Sequence, residues 1–193
     1  MFLIHRPSAQ QIQRFLDASR DLPLSYTPVG LARTGASGFR VDEEIVVVGS
    51  GEADFARATA ALTGWRHFDL GWVELHPWQA GITDGAVVAV AIRHFGFWSL
   101  NGCRVVYATS DPHQCTFGFA YGTLPNHAES GEEIFEARLD PGTGEVTFRI
   151  RAASRPRAPL ARLGYPLTRL LQARFRRDSA AAVRRAIVSA RGR

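Results

Sequence analysis

Between residues 69 and 152 the apolar side chains of this chain recur at every second position, and from Pro166 to about residue 190 they recur at three- and four-residue intervals. The first spacing puts one face of a β-sheet into a core. The second makes a single amphipathic helix of roughly 37 Å, long enough to cross a small sheet. Strands and the long helix are therefore segregated along the chain, which predicts an α+β domain and not a wound α/β one.

Strands are expected at 70–76, 86–95, 103–109, 115–123, 133–139 and 145–151, with one more at 44–48. Asn101-Gly102, between two apolar runs, predicts a two-residue hairpin turn, and turn residues cluster at 111–114 and 140–144. Ser8 followed by Gln11 has capping-box spacing and opens a helix over about 9–20, with Ile12, Phe15 and Leu16 on one side. Glu52 to Leu62 predicts a second helix, its acids at the positive end and Gly64 just past the last turn. Pro156 to Leu163 is expected to add a turn or two before Pro166 starts the long helix. Its apolar stripe is Leu167, Leu170, Leu171, Phe175, Val183, Ala186 and Ile187.

The simplest closure is one domain over residues 1–193, a curved antiparallel sheet of about seven strands packed on the long C-terminal helix. That arrangement resembles the helix-grip (START and Bet v 1-like) fold. In those proteins two short helices follow the first strand, whereas here one precedes it.

With 46% hydrophobic and 21% charged residues, the chain is neither disordered nor a disulfide scaffold. No apolar run approaches the ~18–20 residues of a transmembrane segment. The start of the chain lacks a signal-peptide layout, so a cytoplasmic location is expected. All 23 basic residues are arginine. Residues 149–193 hold thirteen of them and one acid, Asp178, a formal +12; residues 1–148 hold ten arginines and seventeen acids, −7. An acidic body thus carries a basic tail, and the tail's arginines lie mostly off the apolar stripe of the long helix. Nucleic acid is disfavoured as a partner because aromatic stacking platforms are not interleaved with these arginines. Peripheral contact with an anionic membrane stays open.

Several motifs point to chemistry and fall short of it. Gly49-Ser-Gly51 between a strand and a helix has the outline of a dinucleotide site, but Asp54 stands where Gly or Ala is needed, and Glu52 and Asp54 would repel a pyrophosphate. Cys103, Cys115, His113, His127 and Glu129 lack metal-ligand spacing. His127-Ala-Glu129 has no PCxxC after it, as a zinc deaminase requires. No cofactor or metal is expected, and no catalytic residue is assigned. Glu132-Glu133 and Glu43-Glu44 are adjacent pairs that on a strand point to opposite faces, which makes them poor candidates for cooperating carboxylates.

The most informative stretch is 115–135. Phe117, Phe119, Tyr121 and Thr123 share one face of their strand, while Gly118, Ala120 and Gly122 share the other, where a second element can approach closely. Either the aromatics pack beneath a helix, or they wall a cavity. In the second case Trp98, Tyr107, Phe119 and Tyr121 are the expected wall residues, and His127 and Glu129 the entrance.

Five stretches together resemble a family: Tyr26-T-P-V-Gly30, VVVGSGEADFARATAALTGWRHFDLGW (46–72), NGCRVVY (101–107), FGFAYGTLPNHAESGEEIF (117–135) and SRPRAPLARLGYPLTRLLQARFRRDS (154–179). The chain resembles an uncharacterised domain-of-unknown-function family with bacterial and plant members. The resemblance implies a single domain and carries no reaction with it. The leading expectation is a binding protein for a small, largely apolar molecule held between sheet and C-terminal helix. The alternatives are an acid–base enzyme using His127, Glu129 and Tyr121 in the same pocket, and a basic-helix module for nucleic acid or anionic lipid.

Overall fold

A computed structural model describes residues 1–111, 113, 115–157 and 164–192. In chain order the elements are β1 (Phe2–Leu3), α1 (Ala9–Ser19), α2 (Leu31–Thr34), β2 (Arg40–Ser50), α3 (Gly51–Thr63), a 3-10 turn (Arg66–Phe68), β3 (Val73–His76), β4 (Val87–Arg93), β5 (Trp98–Asp111), β6 (Thr116–Thr123), β7 (Glu129–Leu139), β8 (Glu145–Pro156) and α4 (Tyr165–Arg191). The strands form a curled antiparallel half-barrel in the order β2-β8-β7-β6-β5-β4-β3. β1 pairs with β5 at Ser99 and Trp98, beyond the point where β6 ends. The α+β class, the seven-strand path and the gripping C-terminal helix are those expected from the spacing of apolar residues. The capping box at Ser8 and Gln11 is present, with both hydrogen bonds made.

Two local expectations come out differently. Asn101-Gly102 is not a turn; β5 runs straight through it, and the β4–β5 reversal lies at residues 94–97, where Gly96 has φ +97°. Asn101 is instead buried, its amide donating to the Val90 carbonyl and to Ser99 Oγ and its oxygen accepting from Ala128 N at 3.2 Å. Gly102 is small because Asn126 lies against it: a Cβ there would meet Asn126 Oδ1 at 2.3 Å. The helical turn expected over 156–163 falls mostly on residues 158–163, outside the described residues, and Pro156 closes β8.

The concave face of the sheet holds the main core. Trp65, Phe68, Phe119, Phe135 and Phe148 pack with Leu62 of α3 and with Val183 and Ile187 of α4. Trp72 ties α4 to the sheet, its indole N–H donating to Asp178 at 2.9 Å while the Arg174 guanidinium lies 4.6 Å over its ring. Five of the other α4 arginines reach back to the body of the protein. Arg169 makes a two-pronged ion pair with Asp42 at 2.5 Å, Arg176 sits 3.6 Å from Glu44, and Arg184 and Arg185 donate to the carbonyls of Val47 and Asp69. Arg191 binds Asp54, which also accepts from Ser50 N and Arg57, so the strand–Gly-x-Gly–helix joint is a clasp for the end of α4. These contacts hold the buried Asp54 carboxyl well below the usual carboxylate range, Arg191 foremost. The +12 of the tail and the −7 of the body thus meet within one molecule.

An N-terminal layer covers the convex face. Ile12, Phe15 and Leu16 of α1 pack on Ala89, Ala91 and Leu100. Tyr26, Leu31 and Ala32 pack on Ala120, Ile134 and Ala153. The small-residue side of β6 is what admits this layer, because a Cβ on Gly122 would stand 2.3 Å from the Tyr26 hydroxyl. Gly122→Ala is therefore expected to lower stability by about 1–3 kcal/mol, the usual range for overpacking. A urea melt checks this, and an unshifted midpoint would show that Tyr26 is free to move aside.

Candidate functional site

Sheet and α4 do not close completely. Between them lies a cavity of about 220 Å³. On the β3–β4 side its wall is apolar, with Val73, Val90 and Ile92, joined by Phe68, Trp72 and Phe97; Leu167, Leu171 and Phe175 of α4 form the roof. On the β6–β8 side the lining is polar and includes Tyr121, Thr123, His127, Glu129, Glu133 and Ser154, with Asp42, Gln172 and Arg176 beside them.

Alternation explains the polar wall. Tyr121 faces inward with Phe117 and Phe119, and β6 pairs with β7 so that Glu133 stands opposite Tyr121. Glu129, four residues before Glu133 on the same strand, shares its face. The Tyr121 hydroxyl donates to Glu133 Oε2 at 2.8 Å. Burial pushes the Glu133 carboxyl up to about 7 against the pull of that hydrogen bond, and Glu129 pushes the same way. Glu129 accepts from the Gln172 amide at 2.7 and 2.8 Å and is likewise raised by burial.

His127 is set by the turn between β6 and β7. Asn101 holds Ala128 N, and His127 Nδ1 accepts from Glu129 N at 2.9 Å. The same nitrogen lies 3.2 Å from the Glu129 carbonyl, so both backbone groups of Glu129 hold the ring. Burial lowers this histidine to about 4, so at neutral pH it is uncharged. Among the described residues no cluster of histidine, cysteine and carboxylate side chains is suited to a metal ion.

Of the six residues expected at the site, the cavity brings together Tyr121, His127 and Glu129. Phe119 lies in the packed aromatic core, edge-on to Trp65 at 4.9 Å. Trp98 and Tyr107 are on the convex side. Trp98 is out of phase with the inward-facing Ser99, Asn101 and Cys103 and packs beside α1. Tyr107 would be in phase, but a bulge between Val105 and Tyr107 turns it outward. There its hydroxyl donates to Glu132 at 2.9 Å, under the Arg33 guanidinium. Cys103 is buried in the core and Cys115 lies in the turn before β6.

Glu133, Gln172, Asp42 and Asn101 were not expected at a site. The spacing Glu129-x-x-x-Glu133 on a period-two strand was the available signal for Glu133. If Glu132 and Glu133 point to opposite faces, one of them must enter the interior.

The family model for the domain of unknown function DUF1990 matches residues 25–182. The chain belongs to this family. DUF1990 relatives occur in bacteria, in plants and in Dictyostelium. A UPF0548 protein of Deinococcus radiodurans is 37% identical over 194 residues, covering 93% of this chain and 96% of that one. Among solved structures, TTHA0849 of Thermus thermophilus superposes with TM-score 0.55 at 12% identity, over 78% of this chain and 99% of that one. A point mutant of norcoclaurine synthase from Thalictrum flavum, solved with a transition-state analogue, has TM-score 0.50 at 11% identity, over 81% and 98%. At such identities the likeness is one of fold, and the DUF1990 chain has the helix-grip fold. No helix among its described residues is long and apolar enough to cross a membrane.

Proposed function

We propose that this DUF1990 protein binds a small molecule with an apolar body and a polar head in the cavity between its sheet and α4. The observation that carries this is the division of one cavity into an apolar wall and a hydrogen-bonding wall, the usual build of a small-molecule site. Its 220 Å³ lies between the ~150 Å³ that admits benzene and the ~300 Å³ at which drug-sized pockets begin. The occupant is of the size of one substituted ring or a short acyl chain, not a long lipid. That norcoclaurine synthase, of the same fold, was solved with a transition-state analogue supports reading this fold as one that can hold a small molecule. Tyr121, His127 and Glu129 are assigned to the polar head, with Glu133 and Gln172.

Ligand-observed NMR with benzyl alcohol is the direct test. Saturation transfer is expected for the wild type and is expected to vanish in Leu171→Trp, whose indole fills the roof side. Equal binding by both proteins would place the contact elsewhere, and binding of neither benzyl alcohol nor benzylamine by the wild type would refute the proposal.

A second reading, acid–base catalysis in the same cavity, is favoured by Glu133. A carboxyl near 7 is suited to move a proton at neutral pH. Incubation with phenylacetone in D₂O is then expected to exchange its α-hydrogens faster than buffer does, and Glu133→Gln to remove the excess. Exchange at the buffer rate sinks this second reading.

A further inference from the structure

Resting on the reading of the cavity as a ligand site, we infer that the polar head it selects is an ammonium group, seated on the free oxygen of Glu133. Glu133 Oε2 accepts the Tyr121 hydroxyl, while Oε1 has no hydrogen-bond partner among the described residues. Both Glu129 oxygens are met by the Gln172 amide, a neutral donor. Among the described residues, neither carboxylate makes an ion pair; Arg169 acts on Glu129 and Arg176 on Glu133 only from a distance. The two nearest guanidinium groups are committed, Arg169 in a two-pronged pair with Asp42 and Arg176 beside Glu44. With all ionised, four carboxylates stand against three arginines at this end of the site, Arg40 also lying 3.5 Å from Asp42, an excess of one negative charge.

Buried charges without a counter-ion are costly, and a ligand that supplies the missing charge gains what the protein lacks. An ammonium group does this and brings hydrogens for Oε1. A carboxylate ligand would add to the excess and is rejected. A neutral hydroxyl can bond to Oε1 but leaves the charge in place. Opposite the polar wall, Val90, Ile92 and Trp72 offer an apolar surface for the rest of the molecule. The ligand class is thus a small primary or secondary amine with an apolar body. Glu133 is its specificity-determining residue, with Glu129 adding to the field.

Three probes of one shape separate the possibilities: benzylamine, benzyl alcohol and benzoate, titrated calorimetrically into the full chain at neutral pH. Benzylamine is expected to bind at least about tenfold more tightly than the alcohol, a difference of about 1.4 kcal/mol, and benzoate not to bind. Glu133→Gln keeps an acceptor for Tyr121 and is expected to bring amine and alcohol level. Alcohol binding as tight as amine binding in the wild type, or a preference for amine that survives Glu133→Gln, overturns the assignment to Glu133 and leaves the cavity reading standing. Binding of none of the three overturns the cavity reading and this inference with it. The wild-type comparison decides the sign even if the variant does not fold.

Discussion

Replacing Glu132 by alanine is expected to cost about 3–5 kcal/mol of folding stability, the order expected when several buried neutral donors lose their acceptor and water replaces it for some of them. Glu132 is 2% exposed and lies on the convex face of β7. Its Oε2 accepts the Tyr26 hydroxyl at 2.7 Å and Gly30 N at 2.9 Å. Its Oε1 accepts the Tyr107 hydroxyl at 2.9 Å and Ala32 N at 3.3 Å. One carboxylate therefore closes four donors from the N-terminal layer and β5. Alanine would strand all four beneath that layer, each costing about 1–3 kcal/mol where no water replaces the lost acceptor. These same contacts raise both tyrosines, burial being the largest cause for each. Urea denaturation provides the measurement, with Tyr26→Phe and Tyr107→Phe as lesser steps expected to be non-additive with Glu132→Ala. A loss below about 1 kcal/mol would mean that the layer is not fastened through Glu132.

His67 governs the second large effect, an acid limit on the fold. It is fully buried among Trp65, Phe68, Phe119 and Phe135, and neither ring nitrogen has a hydrogen-bond partner among the described residues. Burial lowers it from the ordinary 6.5 to about 3. Below about pH 6.5 the unfolded chain takes up a proton that the folded one refuses. Stability is therefore complete above that pH and is lost as pH falls toward 3. Between pH 7 and pH 4.5 this amounts to about 3 kcal/mol.

His67→Phe keeps an aromatic ring in the cluster and removes the titrating group. Its stability is expected to fall about 3 kcal/mol less than that of the wild type over the same interval. Taking the difference between the two proteins cancels the contributions of His127, lowered like His67, and of Glu133, raised and so of opposite sign. Parallel pH profiles for the two proteins would show that His67 is not the source of the acid limit.

Much of the architecture was legible because it is local. Ser8 caps a helix through atoms three residues away. The alternation in 115–123 places Phe119 and Tyr121 inward and the glycines outward wherever the strand goes. The Asn101-Gly102 signal misled because turn propensity is a weak local preference, and burial outweighed it. With Asn101 placed inside the sheet, its amide is worth more to the Val90 carbonyl, Ser99 and Ala128 N than to a hairpin. The site was half legible for a related reason. Residues 121, 127 and 129 lie in one short stretch, so their convergence needs only one hairpin. Trp98 and Tyr107 were drawn in by residue type, and phase in one case and a one-residue bulge in the other sent them to the opposite face.

Spacing along the chain was enough to determine that this protein alternates into one antiparallel sheet, ends in one long amphipathic helix, and concentrates basic charge in the C-terminal stretch that includes that helix. Those properties depend on near neighbours, because periods of 2 and 3.6 are set by backbone geometry. Tertiary contact alone decided what the charge and the carboxylates do. The α4 arginines found Asp42, Glu44 and Asp54 more than a hundred residues away. Adjacent Glu132 and Glu133 took opposite fates, one saturated by four donors as a fastening and the other left with a free oxygen inside a cavity. No local rule separates them, because the energy of a buried carboxylate depends on which distant groups the folded sheet brings to it.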